Sequence, residues 1–213
     1  MRIAPMMDFP IEEYETRMSN LVAKLDEADC DAVLLTNEEN LRYFCGYRSA
    51  AWNSEYEYPA MMLVARSGKI ALVTSTRRFP GALATACVEE TEILAFDGFG
   101  EQATPGVFAP SIVQALQQLG VTSGKLGTET GLVARMRITY SDYQALFALM
   151  PDMQAMDFAK YIFDLREIKS PREIEVMRKC CAMSVDAFKV GMDKLVLGST
   201  TEEEMYHEYV AAC

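Results

Sequence analysis

The sequence predicts an α/β fold: a three-layer α/β/α sandwich on a mixed sheet, followed by additional helices. Three observations carry that expectation. Short apolar runs of strand length alternate with stretches of helical periodicity. Two of the runs are joined by a hairpin signal, which makes the sheet mixed rather than all-parallel. The helical stretches fall between the strands, as they must if both faces of the sheet are to be covered.

The elements follow in order. Ile11, Tyr14, Met18, Leu21, Val22 and Leu25 recur at helical spacing, so residues 10–29 read as an amphipathic helix. Asp31-Ala-Val-Leu-Leu-Thr36 is too short for a helix and has strand character. Thr36-x-x-Glu39 has the form of a capping box opening a short helix through Phe44, ended by Gly46. Residues 60–66 and 70–74 are apolar runs around Ser67-Gly68-Lys69, which predicts an antiparallel hairpin. A helix is expected over 76–87, a strand over 91–97 and a Gly/Pro/Thr-rich loop over 98–110. Ile112, Val113, Leu116 and Leu119 mark a helix stopped at Gly120. Lys125–Glu129 reads as a strand and 140–150 as a helix.

The pattern changes near residue 166, so the expected division is 1–165 and 166–213. Ser170-Pro171-Arg172-Glu173 is a helix start: Ser as cap, Pro at the first helical position, Glu reaching back. Ile174, Met177, Cys181, Val185, Phe188, Met192 and Leu195 then sustain an apolar stripe up to Gly198. Thr200-x-x-Glu203 opens a last helix whose pattern runs to Cys213 without a stop signal, and a fragment of a longer chain is expected.

Composition excludes some classes. With 31 acidic against 20 basic residues and a net charge of −11, the average field repels nucleic acid, and no Lys/Arg stripe overrides it. No run approaches a membrane span, and the first residues lack a signal-peptide core. The six cysteines, at 30, 45, 87, 180, 181 and 213, show neither CxxC pairs nor a secreted framework. Free thiols in a reducing, cytoplasmic compartment are expected, with Cys180 and Cys181 as buried structural thiols.

Catalytic signatures are sparse. Gly120-Val-Thr-Ser-Gly124-Lys125 has one residue too few for a phosphate loop and lies between a helix and a strand, so it reads as a connecting turn. His207 is the single histidine, which excludes His-Glu-x-x-His zinc chemistry within the chain; it reads as a surface or interface residue. Residues 47–59 gather the only Trp, three Tyr and two Glu into one loop. Aromatic, amide and acidic side chains together are what a pocket rim uses to hold a small polar substrate. The alternative is a loop whose aromatic rings pack back on the core.

Three stretches resemble the creatinase/prolidase family, in family order. Asp31-Ala-Val-Leu-Leu-Thr36-Asn-Glu-Glu-Asn40-Leu-Arg-Tyr43-Phe44-Cys-Gly46-Tyr47 resembles the signature of its amino-terminal domains. Leu165-Arg166-Glu-Ile168-Lys169-Ser170-Pro171-Arg-Glu173-Ile174 resembles the junction leading into its pita-bread catalytic domain. Leu195-Val-Leu-Gly198-Ser-Thr200-Thr-Glu202 resembles the turn between the first two catalytic-domain helices.

The resemblance implies an amino-terminal domain followed by the first helices of a catalytic domain. It implies a parent hydrolase of the Xaa-Pro aminopeptidase, dipeptidase or creatinase type, cleaving a C–N bond in an Xaa-Pro peptide or small amide. Family members of the peptidase type use two divalent metal ions (Mn, Co or Zn), on ligands that lie beyond the position of Cys213. No catalytic residue, metal ligand or cofactor is therefore expected in this chain. The implied partners are the chain's own catalytic domain, a second subunit of a homodimer and a small substrate. Trp52, Asn53, Glu55, Tyr56 and Tyr58 are the candidate substrate-gating residues, from composition and position. Two other readings stay open: a non-catalytic peptidase-like binding module, and a creatinase-like hydrolase that works without metal.

Overall fold

The computed structural model describes residues 1–49, 60–97, 106–131 and 136–212 of the chain. Its elements divide between two compact units, Met1–Arg166 and Glu167–Cys213.

The first unit begins with α1 (Ile11–Glu27), whose Tyr14, Met18, Leu21 and Leu25 form one buried stripe at the predicted helical spacing. Strand β1 (Ala32–Leu35) leads into α2 (Glu38–Cys45), and β2 (Met61–Ala65) and β3 (Ile70–Ser75) form the antiparallel hairpin. There follow α3 (Phe79–Thr85), a single 3-10 turn (Glu90–Glu92) and β4 (Ile93–Phe96). Then come α4 (Ala109–Leu119), β5 (Gly124–Thr128) and α5 (Tyr140–Leu149). The unit closes with β6 (Met153–Asp157) and α6 (Ala159–Glu167).

The six strands form one sheet in the order β4-β3-β2-β1-β5-β6. The β1–β2 and β2–β3 pairs are antiparallel, and β3–β4, β1–β5 and β5–β6 are parallel. The sheet is therefore mixed, as the sequence predicts. Alternation along the central strands sorts side chains to two faces, because successive residues of a strand point oppositely. Val33, Leu35, Met62, Val64 and Leu72 join a core with residues of α1, α2, α3 and α6. Ala32, Leu34, Met61, Leu63 and Val73 join a second core with residues of α4 and α5. Both faces are covered, and this is the three-layer sandwich.

Two elements escaped the sequence reading, β6 and α6. Strand β6 buries only Met153 well, so its sequence has no apolar run to announce it. Its place is set by pairing with β5, from Gly124↔Met153 to Thr128↔Asp157.

Two helix starts differ from expectation. At α2 the cap is Asn37, whose side chain accepts from the Glu39 N–H at 3.0 Å, while the Thr36 hydroxyl is engaged elsewhere. The last helix, α8 (Glu202–Ala212), is boxed by Thr201 and Glu204, one residue later than Thr200 and Glu203. Thr200 instead accepts from the Val196 N–H at 2.7 Å, closing the turn before it. The box at Ser170 and Glu173, opening α7 (Pro171–Asp193), is as predicted.

In the second unit, Gly191 of α7 packs on α8, where an added Cβ would lie 3.3 Å from the Met205 carbonyl. The predicted stripe on α7 stays exposed at Met177, Val185, Phe188 and Met192. Cys180 and Cys181 are exposed as well, which corrects the expectation of buried thiols. Their helix carries the predicted apolar periodicity, but among the described residues only its Ala187 and Gly191 are buried. Cys30, Cys45 and Cys87 are buried and free; burial pushes the Cys87 thiol up to about 12 and Cys45 in the same direction, which disfavours the thiolate.

Candidate functional site

In a sheet with parallel strands, a crevice forms at the carboxyl ends where successive connections leave in opposite directions. Here that point lies between β1 and β5: the chain runs from β1 to β2 on one side and from β5 to β6 on the other. Thr36 and Asn37 follow β1, and Glu129 follows β5.

Glu129 fills the crevice. It is 1% exposed, and its Oε2 accepts from the Thr36 N–H at 2.6 Å, the Thr36 hydroxyl at 2.9 Å and the Asn37 N–H at 2.9 Å. Its Oε1 accepts from Nδ2 of Asn40. The Thr36 hydroxyl in turn accepts from the Arg137 N–H at 2.8 Å, so its own proton is directed at Glu129. All four partners donate, which is the shell a carboxylate needs and a carboxylic acid does not. Burial pushes the Glu129 carboxyl above its ordinary value, and the donors from Thr36, Asn40 and Asn37 pull against that.

The network continues through Asn40 to Arg166, whose Nη1 donates to the Asn40 Oδ1 at 2.6 Å. Tyr43, one turn further along α2, donates its hydroxyl to the Leu165 carbonyl at 3.0 Å. The Tyr43 ring also lies 4.2 Å from the guanidinium carbon of Arg17, which donates to the Tyr43 carbonyl.

The five predicted gating residues, Trp52, Asn53, Glu55, Tyr56 and Tyr58, lie outside the described residues. Their flanking residues are described. Upstream, the Arg48 N–H donates to Thr85 Oγ1 at 3.2 Å, and its guanidinium meets the Met6 carbonyl at 2.9 Å and Asp8 at 3.2 Å. Tyr47 is buried, with its hydroxyl 3.4 Å from that of Thr74. Downstream, Ala60 is buried, and Met62 pairs with Leu35, the residue before Thr36. Strand β2 thus starts at the same carboxyl end of β1 that carries the Glu129 network.

Sequence reasoning missed Glu129, Asn40 and Arg166 as a group. The available signal was an acidic residue at the end of a predicted strand, paired with a Thr directly after the apolar run of β1. His207 is exposed on α8, and Gly120 and Gly124 flank the turn between α4 and β5, as expected. Among the described residues, no three His, Cys, Asp or Glu side chains are placed to hold a metal ion. Among the same residues no helix is long and apolar enough to cross a membrane.

A mixed six-stranded sheet between two helical layers, closed by a buried polar network at its carboxyl edge, defines a three-layer α/β/α domain. The chain belongs to the creatinase/prolidase N-terminal domain family, whose model matches residues 17–168. An uncharacterized peptidase of Staphylococcus aureus is 26% identical over 194 residues, covering 90% of this chain and 48% of that protein. An Xaa-Pro dipeptidase from Bacillus anthracis superposes with a TM-score of 0.69 at 20% identity, over 93% of this chain and 48% of that one. A prolidase from Pyrococcus horikoshii gives 0.67 at 18% identity, over 92% and 48%. The chain spans about half the length of these relatives.

Proposed function

We propose that this chain is the substrate-gating and dimerisation half of a cytoplasmic hydrolase that cleaves a C–N bond in an Xaa-Pro peptide or small amide. The observation that supports it most is the family match over residues 17–168, together with a chain that spans half of peptidase relatives. On this reading, 1–165 is the amino-terminal domain and 166–213 begins the catalytic one. The bond-breaking residues and the two divalent ions (Mn, Co or Zn) of a peptidase-like parent belong to the other half, and a second subunit completes the assembly. When bound there, such ions would supply Lewis-acid activation of the scissile amide and of water.

What this chain contributes is shape and recognition. On this reading Trp52, Asn53, Glu55, Tyr56 and Tyr58 are the residues that meet a small substrate, and Arg48, shortly before them in sequence, is held by Asp8 and Thr85. Aromatic rings exclude water, while the amide and carboxylates read the substrate's polar ends. Steady-state kinetics of Trp52→Ala/Tyr56→Ala in the longer enzyme test the assignment. KM for an Xaa-Pro dipeptide is expected to rise about tenfold with kcat nearly kept, the pattern of lost uniform binding. Unchanged KM would refute the gating role.

A further inference from the structure

The Glu129 carboxylate connects to the end of its unit through the Asn40 amide. Asn40 turns Nδ2 to Glu129 and Oδ1 to Nη1 of Arg166. The opposite flip would set oxygen against carboxylate and NH2 against guanidinium, so both charges select the same orientation. Asn40 is 4% exposed and Glu129 1%, which strengthens each interaction relative to water. Tyr43, on the same face of α2, grips the adjacent Leu165 carbonyl and lies 5.9 Å from the Arg166 guanidinium. Two residues one turn apart on α2 therefore hold two successive residues at the end of α6.

We propose that Glu129, Asn40 and Arg166 form a positioning relay, in which the buried carboxylate fixes the Asn40 amide and the amide fixes where Arg166 is held. The relay deepens the gating reading and rests on it only for its consequence. It ties α2, which leads into residues 47–58, to the helix from which the chain leaves the first unit. Losing the charge on Glu129 removes the force that orients the amide. A proton taken from solvent onto Glu129 is donated to Oδ1 once the amide turns over, leaving Nδ2 facing Arg166 and that bond broken.

The elements that donate to Glu129 or adjoin its strand carry these charged groups: Glu38, Glu39 and Arg42 on α2, Arg137 before α5, Asp157 at the end of β6, and Lys160, Asp164 and Arg166 on α6. Asp157 accepts from the Ala159 N–H, and Lys160 pairs with Asp164. Arg166 is joined to the carboxylate through Asn40.

The test follows the side-chain NMR signals of Asn40 and Arg166 in the 213-residue chain as pH is lowered from neutral into the carboxylate range. The relay predicts that the Asn40 Nδ2 and Arg166 Nε signals move together with one midpoint. In Glu129→Gln, the Arg166 signal is expected to stay fixed. An Arg166 signal that is flat in the parent chain, or that titrates equally in Glu129→Gln, overturns the relay. Should the Gln variant fail to fold, Asn40→Ser cuts the chain of bonds while leaving Glu129 in place. It must abolish the Arg166 response, and a surviving response refutes the proposal. No substrate enters the measurement, so its failure leaves the gating reading standing, and a failed KM test leaves the relay standing.

Discussion

A carboxylate removed from water gains only while every donor that replaces water stays in place. Glu129 meets that condition with three donors on one oxygen and one on the other. Truncation to Ala strands the Thr36 and Asn37 amides and the Asn40 side chain in a buried site. Urea unfolding of Glu129→Ala is expected to show a loss of about 3 kcal/mol. The pH dependence has a definite sign. The folded carboxyl is raised, so the folded state holds its proton more tightly than the unfolded chain. Its contribution is complete below the ordinary carboxylate range and fades as pH climbs through the raised folded value. Glu129→Gln is expected to flatten that part of the stability profile, and an unaltered slope would contradict the assignment. None of this was readable in sequence, because a Thr three residues before a Glu looks like a helix cap whether or not a distant carboxylate claims its hydroxyl.

At the scale of elements, α2 is the piece on which the site is mounted, and its ends fix its placement. Gly46 closes it at φ 77°, where an added Cβ would lie 2.9 Å from the Thr85 carbonyl and 3.2 Å from the Tyr14 hydroxyl. Backbone strain and contact act together there, so Gly46→Ala is expected to cost about 2 kcal/mol in thermal or denaturant unfolding. Asn37→Ala loses one cap bond and is expected to cost about 1 kcal/mol. A Gly46→Ala variant as stable as the parent would show that the helix end is not pinned as described. Elements with strong local signals were legible: the buried stripe of α1, the Ser67-Gly68-Lys69 hairpin, and the Gly120 stop of α4. Strand β6 and helix α6 were not, since β6 is an edge strand specified by its partner more than by its own side chains.

On the scale of the whole molecule, both hydrophobic cores are complete within the first 166 residues. Residues 1–166 alone are therefore expected to unfold cooperatively, as followed by circular dichroism in denaturant. The second unit exposes Met177, Val185, Phe188 and Met192 along one helix, more apolar surface than scattered surface residues account for. The full chain is expected to self-associate more than residues 1–166 in sedimentation experiments, and equal behaviour would show that the stripe is inert. The fold was legible as a class because alternation and periodicity repeat over many residues. The gating assignment in residues 47–59 rests on composition and position, and the Glu129 network was not legible, since its bonds join residues far apart in sequence, such as Thr36 with Glu129 and Asn40 with Arg166.

If this chain recognises a substrate whose bond is broken by another half of the enzyme, activity depends on that half. Hydrolysis of an Xaa-Pro dipeptide in the presence of Mn2+ or Co2+ is the first measurement, comparing the 213-residue chain with the longer protein that would carry it. Turnover is expected from the longer protein, and none above the metal-only background from the chain alone. Turnover by the isolated chain, or its absence from both, would overturn the proposed function.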